Sequence, residues 1–490
     1  MKHLSREKAE DSIATDEALS YVPMLIAEVE LGQPLLPLSA CDEETGRTYE
    51  RALCLVRLHT QPLGMLELAL DVYETPPNIY AQHIWNALGE TILEHLQQDG
   101  LPPVTGLNAQ GLGSAGTPLC IEERDTFFTS APFVSVIVPT HERTEQLRSC
   151  LQSLLSLHYP TYEIIIVDNA PRTNATADFI GQTYRDVPCI RYICEERPGA
   201  SEARNRGIMA ARGEILAFTD DDAVVDPYWL IELVRAFSSA DDVACVTGLV
   251  LPLELETPAQ FWFEEYGGFS KNFSRRIFDM AQHYPELPLH PFTAGQFGSG
   301  VCMAFTRAFL LSVNGFDLAL GPGVPARAGE DLALFFQAIM HGHTLVYTPA
   351  ALLYHLHRRD YTSLRQQMYS YGVGLAAYLT KNICDTPRLL FDFASKVPYG
   401  LYFTLSNRSS KNKKKSSHYP KELTRLELAG MLYGPFAYVR QRWSMRIIRK
   451  AEHPIKTSNT SFVAQIAPFR RENYQRLLSQ EEEQREKRRV

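Results

Sequence analysis

Residues 134–143 read VSVIVPTHER, an apolar run that breaks into polar residues at Thr140. The same break recurs in IIIVDNA (164–170) and ILAFTDDD (215–222), with ERPGASEARNRG (196–207) lying between them. Strands are predicted at 133–139, 163–167, 189–194 and 214–218. A helix follows the first of them, with Leu147, Cys150, Leu151, Leu154 and Leu155 at helical spacing. Asp226-Pro227 opens another helix with proline at a first-turn position. Alternation of this kind predicts a parallel α/β sheet. Open sheets bind ligands beyond the carboxyl ends of their strands, where residues 139–143, Asp168, Asn169 and Asp220 to Asp222 fall.

The whole chain has 490 residues, enough for about three domains. A composition of 45% hydrophobic and 21% charged residues is that of a globular protein, and the net charge of -9 argues against a general nucleic-acid binder. Residues 1–20 hold no apolar core of signal-peptide length, and no run approaches the roughly 18 apolar residues of a membrane helix, so a cytoplasmic protein is expected. Nine cysteines without a C-x-x-C pair read as reduced thiols, several of them in apolar runs.

The clearest break is GLPPVTGLNAQGLGSAGTP (100–118), with five glycines and three prolines and no strand or helix period. Before it, ALCLVRLHTQPLGMLELAL (52–70) predicts two strands around a turn at residues 61–64. The helix after them is expected to be capped by Asn78 and to carry Ala81, Ile84, Trp85, Leu88, Ile92 and Leu96 on one stripe. The expected organisation is an α+β module (1–99), a linker (100–130), a catalytic domain (131–385) and a mainly helical C-terminal region (386–490). RSSKNKKKSSH (408–418) interrupts apolar segments of that last region, and the tail from 470 is a solvated helix or disorder.

Several of these residues suit chemistry. Asp220, Asp221 and Asp222 repel one another unless a cation or donor compensates them, which points to a divalent metal or, alternatively, to a capped turn. Asp168 suits a base or ribose, or an Asx turn; Glu142 and Arg143 end the first strand in the same way, or form a solvated loop. Arg204 opens onto a helix start fit for a diphosphate, or stands in solvent. Downstream, GSGVCMAFTRAFLLSVNGFD (298–317), GPGVPARAGEDLALFFQAIMHG (321–342) and YHLHRR (354–359) add Glu330 and Asp331 at a helix start, and His355 and His357. Capping explains one of the two carboxylates; a general base at a pocket mouth explains both.

In this order, VSVIVPTHER, VDN, GASEARNRG, FTDDD, GSGVCMAF, NGFD, GED and H-x-H-R-R resemble the family-two glycosyltransferases of the GT-A fold, over about residues 133–360. The resemblance implies a Rossmann-like mixed sheet with helices on both faces. It implies Pro139, Thr140 and Glu142 around a uridine, Asp168 on the base, and Arg204, Asp220 and Asp221 on the donor. Asp222 and His355 would hold Mn2+ or Mg2+, and Asp331, beside Glu330, would be the catalytic base. The implied reaction moves a hexose, with inversion, from a nucleotide-diphospho-sugar to a carbohydrate or lipid-linked acceptor in polysaccharide or other glycoconjugate synthesis. A non-catalytic sugar-nucleotide-binding scaffold is the alternative. A nucleotidyltransferase would need a glycine- and lysine-rich phosphate loop after the first strand, where PTHERTEQ stands instead. Aromatic residues between Val250 and Gln296 read as an acceptor-side element or as a packed subdomain. Lysines 411 and 413–415 after the apolar segment 389–405 suggest a peripheral membrane contact through 389–415, or a solvated loop.

Overall fold

The computed structural model describes residues 21–452 except 43, 44, 114, 115 and 283, and no side chains at 446–452. The expectations for residues 1–20 and for the tail from 470 lie outside the described residues. Among the described residues, those up to Val439 make one compact unit and those from Arg440 belong to a second.

In the N-terminal part, β1 (Leu25–Glu30) runs parallel to β3 (Arg51–Leu58), and β3 pairs antiparallel with β4 (Gln61–Ala69). Between β1 and β3 lies β2 (Leu38–Ser39), which forms a short ribbon with β5 (Glu74–Thr75). Helix Pro77–Gln98 packs Ile84, Ile92 and Leu96 against this sheet. Two local expectations are corrected. The hairpin turn is His59-Thr60, both at positive φ, and not residues 61–64, which lie in β4. Pro62 is tolerated there because β4 is an edge strand. The helix is opened by Pro77 at its first position and not capped by Asn78, because proline already holds the required φ.

The main sheet runs β10 (Ala223–Val225), β14 (Thr344–His355), β11 (Val243–Pro252), β13 (Met303–Thr306), β9 (Ile215–Phe218), β6 (Val134–Thr140), β7 (Tyr162–Asn169) and β8 (Ile190–Glu195), with β12 (Arg276–Phe278) on β14. Strands β6 to β9 are parallel, as expected, but β13 and β10 run against their neighbours, so the sheet is mixed. Helices cover both faces. Leu147 and Leu151 of helix Thr144–Leu155 and Leu230 of helix Trp229–Arg235 share a core with Val134, Val136 and Val138. On the opposite face helix Ala200–Ala210 comes so close that a Cβ on Gly207 would lie 2.4 Å from Ile137. Strands covered on both faces read as continuous apolar runs, which is why VSVIV and IIIV are legible.

Strand β14 is longer than the short exit expected around YHLHRR, and all of it is buried. Its last residue, His355, pairs with Ala223 of β10 and with Pro252 of β11. The Leu356 amide donates to the Asp222 carbonyl at 3.0 Å, so register alone brings His355 beside the Asp triplet. Helix Pro258–Tyr266 of the aromatic segment buries Trp262 and Phe263 against Leu364, Met368 and Leu423, the packed-subdomain reading. Beyond β14 come helices Tyr361–Asp385, Leu389–Leu405 and Lys421–Glu452. The first and third cross through glycine: a Cβ on Gly372 would lie 1.9 Å from the Glu427 carbonyl oxygen.

Candidate active site

Beyond the carboxyl ends of β6, β9 and β14 opens a cleft of about 1680 Å³, lined among others by Thr140, Arg204, Asp220, Asp222, Asp331 and His355. The three aspartates after β9 take three different partners. Asp220 accepts from Arg204 Nη2 at 3.0 Å. Asp221 turns inward, accepting from the Thr140 hydroxyl at 2.8 Å and from Arg143 Nη1 at 3.2 Å. Burial and the neighbouring Asp222 charge push the Asp221 carboxyl up to about 6. Asp222 Oδ2 accepts from Arg143 Nη1 at 3.0 Å, and its Oδ1 lies 3.2 Å from His355 Nε2. Burial opposes ionisation of Asp222, but His355 and Arg143 outweigh it and hold the carboxyl well below the usual range.

His355 is itself held from behind. Its Nδ1 lies 3.1 Å from Nδ1 of the buried His357, whose Nε2 lies 2.7 Å from Glu264 Oε1. Burial lowers the His357 pKa and keeps that ring neutral. A carboxylate only accepts, so Nε2 of His357 carries the proton and its Nδ1 accepts from His355. His355 therefore presents Nε2 to the cleft.

On the other wall, Glu330 and Asp331 open helix Glu330–Met340, whose N-cap is Gly329 at φ 92, so neither carboxylate caps the helix. Glu330 Oε1 accepts from Arg204 Nη1 at 2.5 Å, and burial raises its pKa. Arg204 thus joins the first aspartate of the triplet to the helix that carries Asp331. Asp331 accepts from the Gly300 amide through Oδ2 and from the Leu332 amide through Oδ1, both at 2.8 Å. The space for this is made by Gly300, on which a Cβ would lie 3.0 Å from Asp331 Oδ2.

The remaining expected residues are distributed unevenly. Pro139 and Thr140 line the cleft. Glu142, at φ 55, turns to the Thr173 hydroxyl and the Arg172 and Thr173 amides, which lower its pKa. Asp168, the penultimate residue of β7, is fully buried, with Tyr192 donating to Oδ2 at 2.9 Å and, among the described residues, no hydrogen-bond partner at Oδ1. Glu264 and Lys271 bear on the site without a sequence signal: they lie in the aromatic segment, and tertiary packing alone brings them to His357 and to the cleft wall.

The donor set suits a divalent cation. Asp222 Oδ1 and His355 Nε2 lie 3.2 Å apart at the cleft wall, a separation that two ligands of one ion could have. The surplus of carboxylate charge around Asp220 to Asp222 also favours one.

Comparisons with known proteins bear on the family of the chain. The chain is 27% identical to a glucosyl-dolichyl phosphate glucuronosyltransferase of Haloferax volcanii over 195 residues, 38% of this chain and 57% of that relative. It is 25% identical to a pre-mycofactocin glycosyltransferase of Mycobacterium tuberculosis over 246 residues, 50% of this chain and 47% of the relative. The chain therefore spans about half the length of these relatives. The solved mannosyltransferase PcManGT from Pyrobaculum calidifontis, in complex with GDP-Man and Mn2+, aligns over 74% of this chain and 88% of its own at 17% identity and a TM-score of 0.39, too distant to place residues. Residues 135–294 match the family model described as glycosyl transferase family 2, and residues 215–444 that of glycosyl transferase family group 2. Residues 135–444 of the chain belong to the family-two glycosyltransferases.

Proposed function

We propose that the protein is an inverting, metal-dependent glycosyltransferase that moves a hexose from a UDP-sugar to an acceptor hydroxyl. The observation that carries this reading is the bridge by Arg204 between Asp220 and Glu330, which unites the aspartate triplet and the Asp331 helix in one cleft. Asp222 and His355 would hold Mn2+ or Mg2+, whose chemistry here is neutralising charge on the leaving diphosphate. Arg143 and Lys271 add positive charge along the cleft for the donor's phosphates. Asp331, held by two backbone amides, is the base that takes the acceptor proton as attack proceeds. No enzyme nucleophile intervenes, so in-line attack inverts the anomeric centre.

The acceptor side of the cleft is walled by helix Leu389–Leu405, including Val397, Leu401 and Leu405, which favours an acceptor with an apolar portion such as a lipid-linked glycan. The same helix exposes Phe391 (84%), Leu401 (55%) and Leu405 (56%), which favours peripheral contact with the inner face of a membrane through 389–415. Lys411 and Lys415 contribute less than their sequence implies, since they bond Glu427 and Thr424. Among the described residues no helix is long and apolar enough to cross a membrane. Co-sedimentation with anionic liposomes, reduced by Phe391→Asp, is the expected result; binding that neither anionic lipid nor this substitution alters removes the membrane contact.

The central test is nucleoside diphosphate release from a panel of nucleotide sugars with Mn2+. Release abolished by Asp222→Ala and by Asp331→Asn supports the reading, and unchanged turnover in both variants overturns it. Donor binding by the unmodified chain without turnover on any acceptor supports the scaffold alternative instead.

A further inference from the structure

The N-terminal module, which carries no chemistry in the sequence reading, brings His59, His95, Asp99 and Cys120 together, with one ligand atom from each within 4.8 Å of all the others. His59 comes from the left-handed hairpin turn between β3 and β4. His95 and Asp99 stand one helical turn apart at the end of helix Pro77–Gln98, and Cys120 is in the first turn of helix Leu119–Phe128. Asp99 Oδ2 lies 2.5 Å from His59 Nδ1, 3.1 Å from His95 Nε2 and 3.2 Å from Cys120 Sγ, while Oδ1 accepts the Cys120 amide at 3.0 Å.

Hydrogen bonds account poorly for this convergence. Three donors would crowd one carboxylate oxygen, and the two imidazole nitrogens that face it are only 3.2 Å apart. A cation at the centre removes the conflict by replacing the protons. Two neutral imidazoles, a carboxylate and a thiolate balance a divalent charge to zero, which a buried site requires: His59 and Asp99 have side chains 6% and 4% exposed. Thiolate and imidazole donors exclude Ca2+ and Mg2+ as the preferred ion, and four protein ligands with none left open are the pattern of structural zinc.

We propose that His59, His95, Asp99 and Cys120 form a structural zinc site that fastens the N-terminal module to the glycosyltransferase domain. The four ligands tie the hairpin tip to both helices flanking the glycine- and proline-rich linker, and so close that linker. The domain's own contacts begin at the same place: Arg235 donates to the Cys120 carbonyl at 3.5 Å, and Arg124 bonds the Thr60 hydroxyl at 2.6 Å and pairs with Glu232 at 3.7 Å. None of the four ligands lines the cleft, so the ion is separate from the one proposed at Asp222.

The test uses the full chain carrying Asp222→Asn, so that metal in the cleft is not counted. After exhaustive dialysis, elemental analysis is expected to find stoichiometric zinc, and Cys120→Ser and His95→Gln to lose it with unchanged far-ultraviolet circular dichroism. Cobalt added to the zinc-free chain is expected to give thiolate charge-transfer and tetrahedral visible bands that zinc abolishes. A folded, zinc-free chain that gives no such bands overturns the site, as do bands that persist in Cys120→Ser. If a variant fails to fold, the cobalt spectrum of the chain with its four ligands intact still decides, because it requires a bound thiolate.

Discussion

His355 Nδ1 and His357 Nδ1 lie 3.1 Å apart, and this contact fixes which nitrogen His355 offers to the cleft. Glu264 anchors the far side of His357 at 2.7 Å, so the three side chains form a relay that ends on Asp222. Partners behind a metal-ligating histidine orient the ring, and their loss typically costs about 10- to 100-fold in metal affinity. His357→Phe is therefore expected to raise the Mn2+ concentration for half-maximal rate by about that factor, with kcat at saturating Mn2+ largely retained. Metal titration of initial rates checks this; an unchanged half-saturation would show that His355 does not depend on the relay.

Asp331 and Glu330 are adjacent but face different tasks. Asp331 is held by two amides, whereas Glu330 is tied to Arg204 and acts through it on Asp220. Asp331→Asn preserves the shape and is expected to lower kcat by about 10²- to 10⁴-fold with donor affinity unchanged. Glu330→Gln is expected to weaken donor binding more than kcat. Calorimetric donor titration beside steady-state kinetics separates the two, and a large affinity loss in Asp331→Asn would count against its role as base.

Much of this site was legible because its strands are covered on both faces. Such strands read as apolar runs, and the polar residues at their ends mark the ligand side, which located Asp220 to Asp222; Glu330 and Asp331 were legible separately, as a Gly-Glu-Asp helix start after a glycine-rich loop. What the sequence concealed depends on packing between distant segments. Glu264 lies 93 residues from His357, and the Asp222–His355 contact rests on the β10–β14 register, which no local pattern carries. The hairpin turn was hidden because His59 and Thr60 take left-handed backbone without the glycine or asparagine that normally signals it. Glu142 reads in the sequence as a donor contact or part of a solvated loop, and its carboxylate accepts from the Arg172 and Thr173 amides and the Thr173 hydroxyl, partners 30 and 31 residues away that no local pattern announces.

Lys271 is expected to give the cleft a pH dependence. Burial lowers its ammonium from 10.5 to about 8, against the opposing charges of Glu264 and Asp331. Below pH 8 it is cationic and favours an anionic donor, so kcat/KM for the donor is expected to fall as pH rises through about 8. Lys271→Arg keeps its charge and should extend the plateau, while Lys271→Met should lower it and remove this inflection. The effect on stability has the opposite sense. Between about pH 8 and 10.5 the unfolded chain binds the extra proton, so this group makes stability rise with pH in that window. A pH profile of kcat/KM that is identical in Lys271→Met would assign the inflection to another group.

Arg57 and Asp226 provide the last test, because they join the N-terminal sheet to the main one through a pair with side chains 10% and 4% exposed. Arg57 Nη1 donates to Asp226 at 2.6 Å and to Glu28 at 2.8 Å, and its remaining nitrogens bond the Thr60 carbonyl at 2.7 and 3.1 Å. Arg57→Leu leaves the Asp226 carboxylate buried with, among the described residues, the Tyr228 amide as its one hydrogen-bond donor. Breaking one side of such a pair typically costs about 3–5 kcal/mol, whereas replacing both partners by apolar residues is often close to neutral. Urea unfolding is therefore expected to show a large loss for Arg57→Leu and partial recovery when Asp226→Leu is added. If the double variant is no more stable than the single one, the loss comes from the Glu28 and Thr60 contacts, and the junction is held by the hairpin tip instead of by the buried pair.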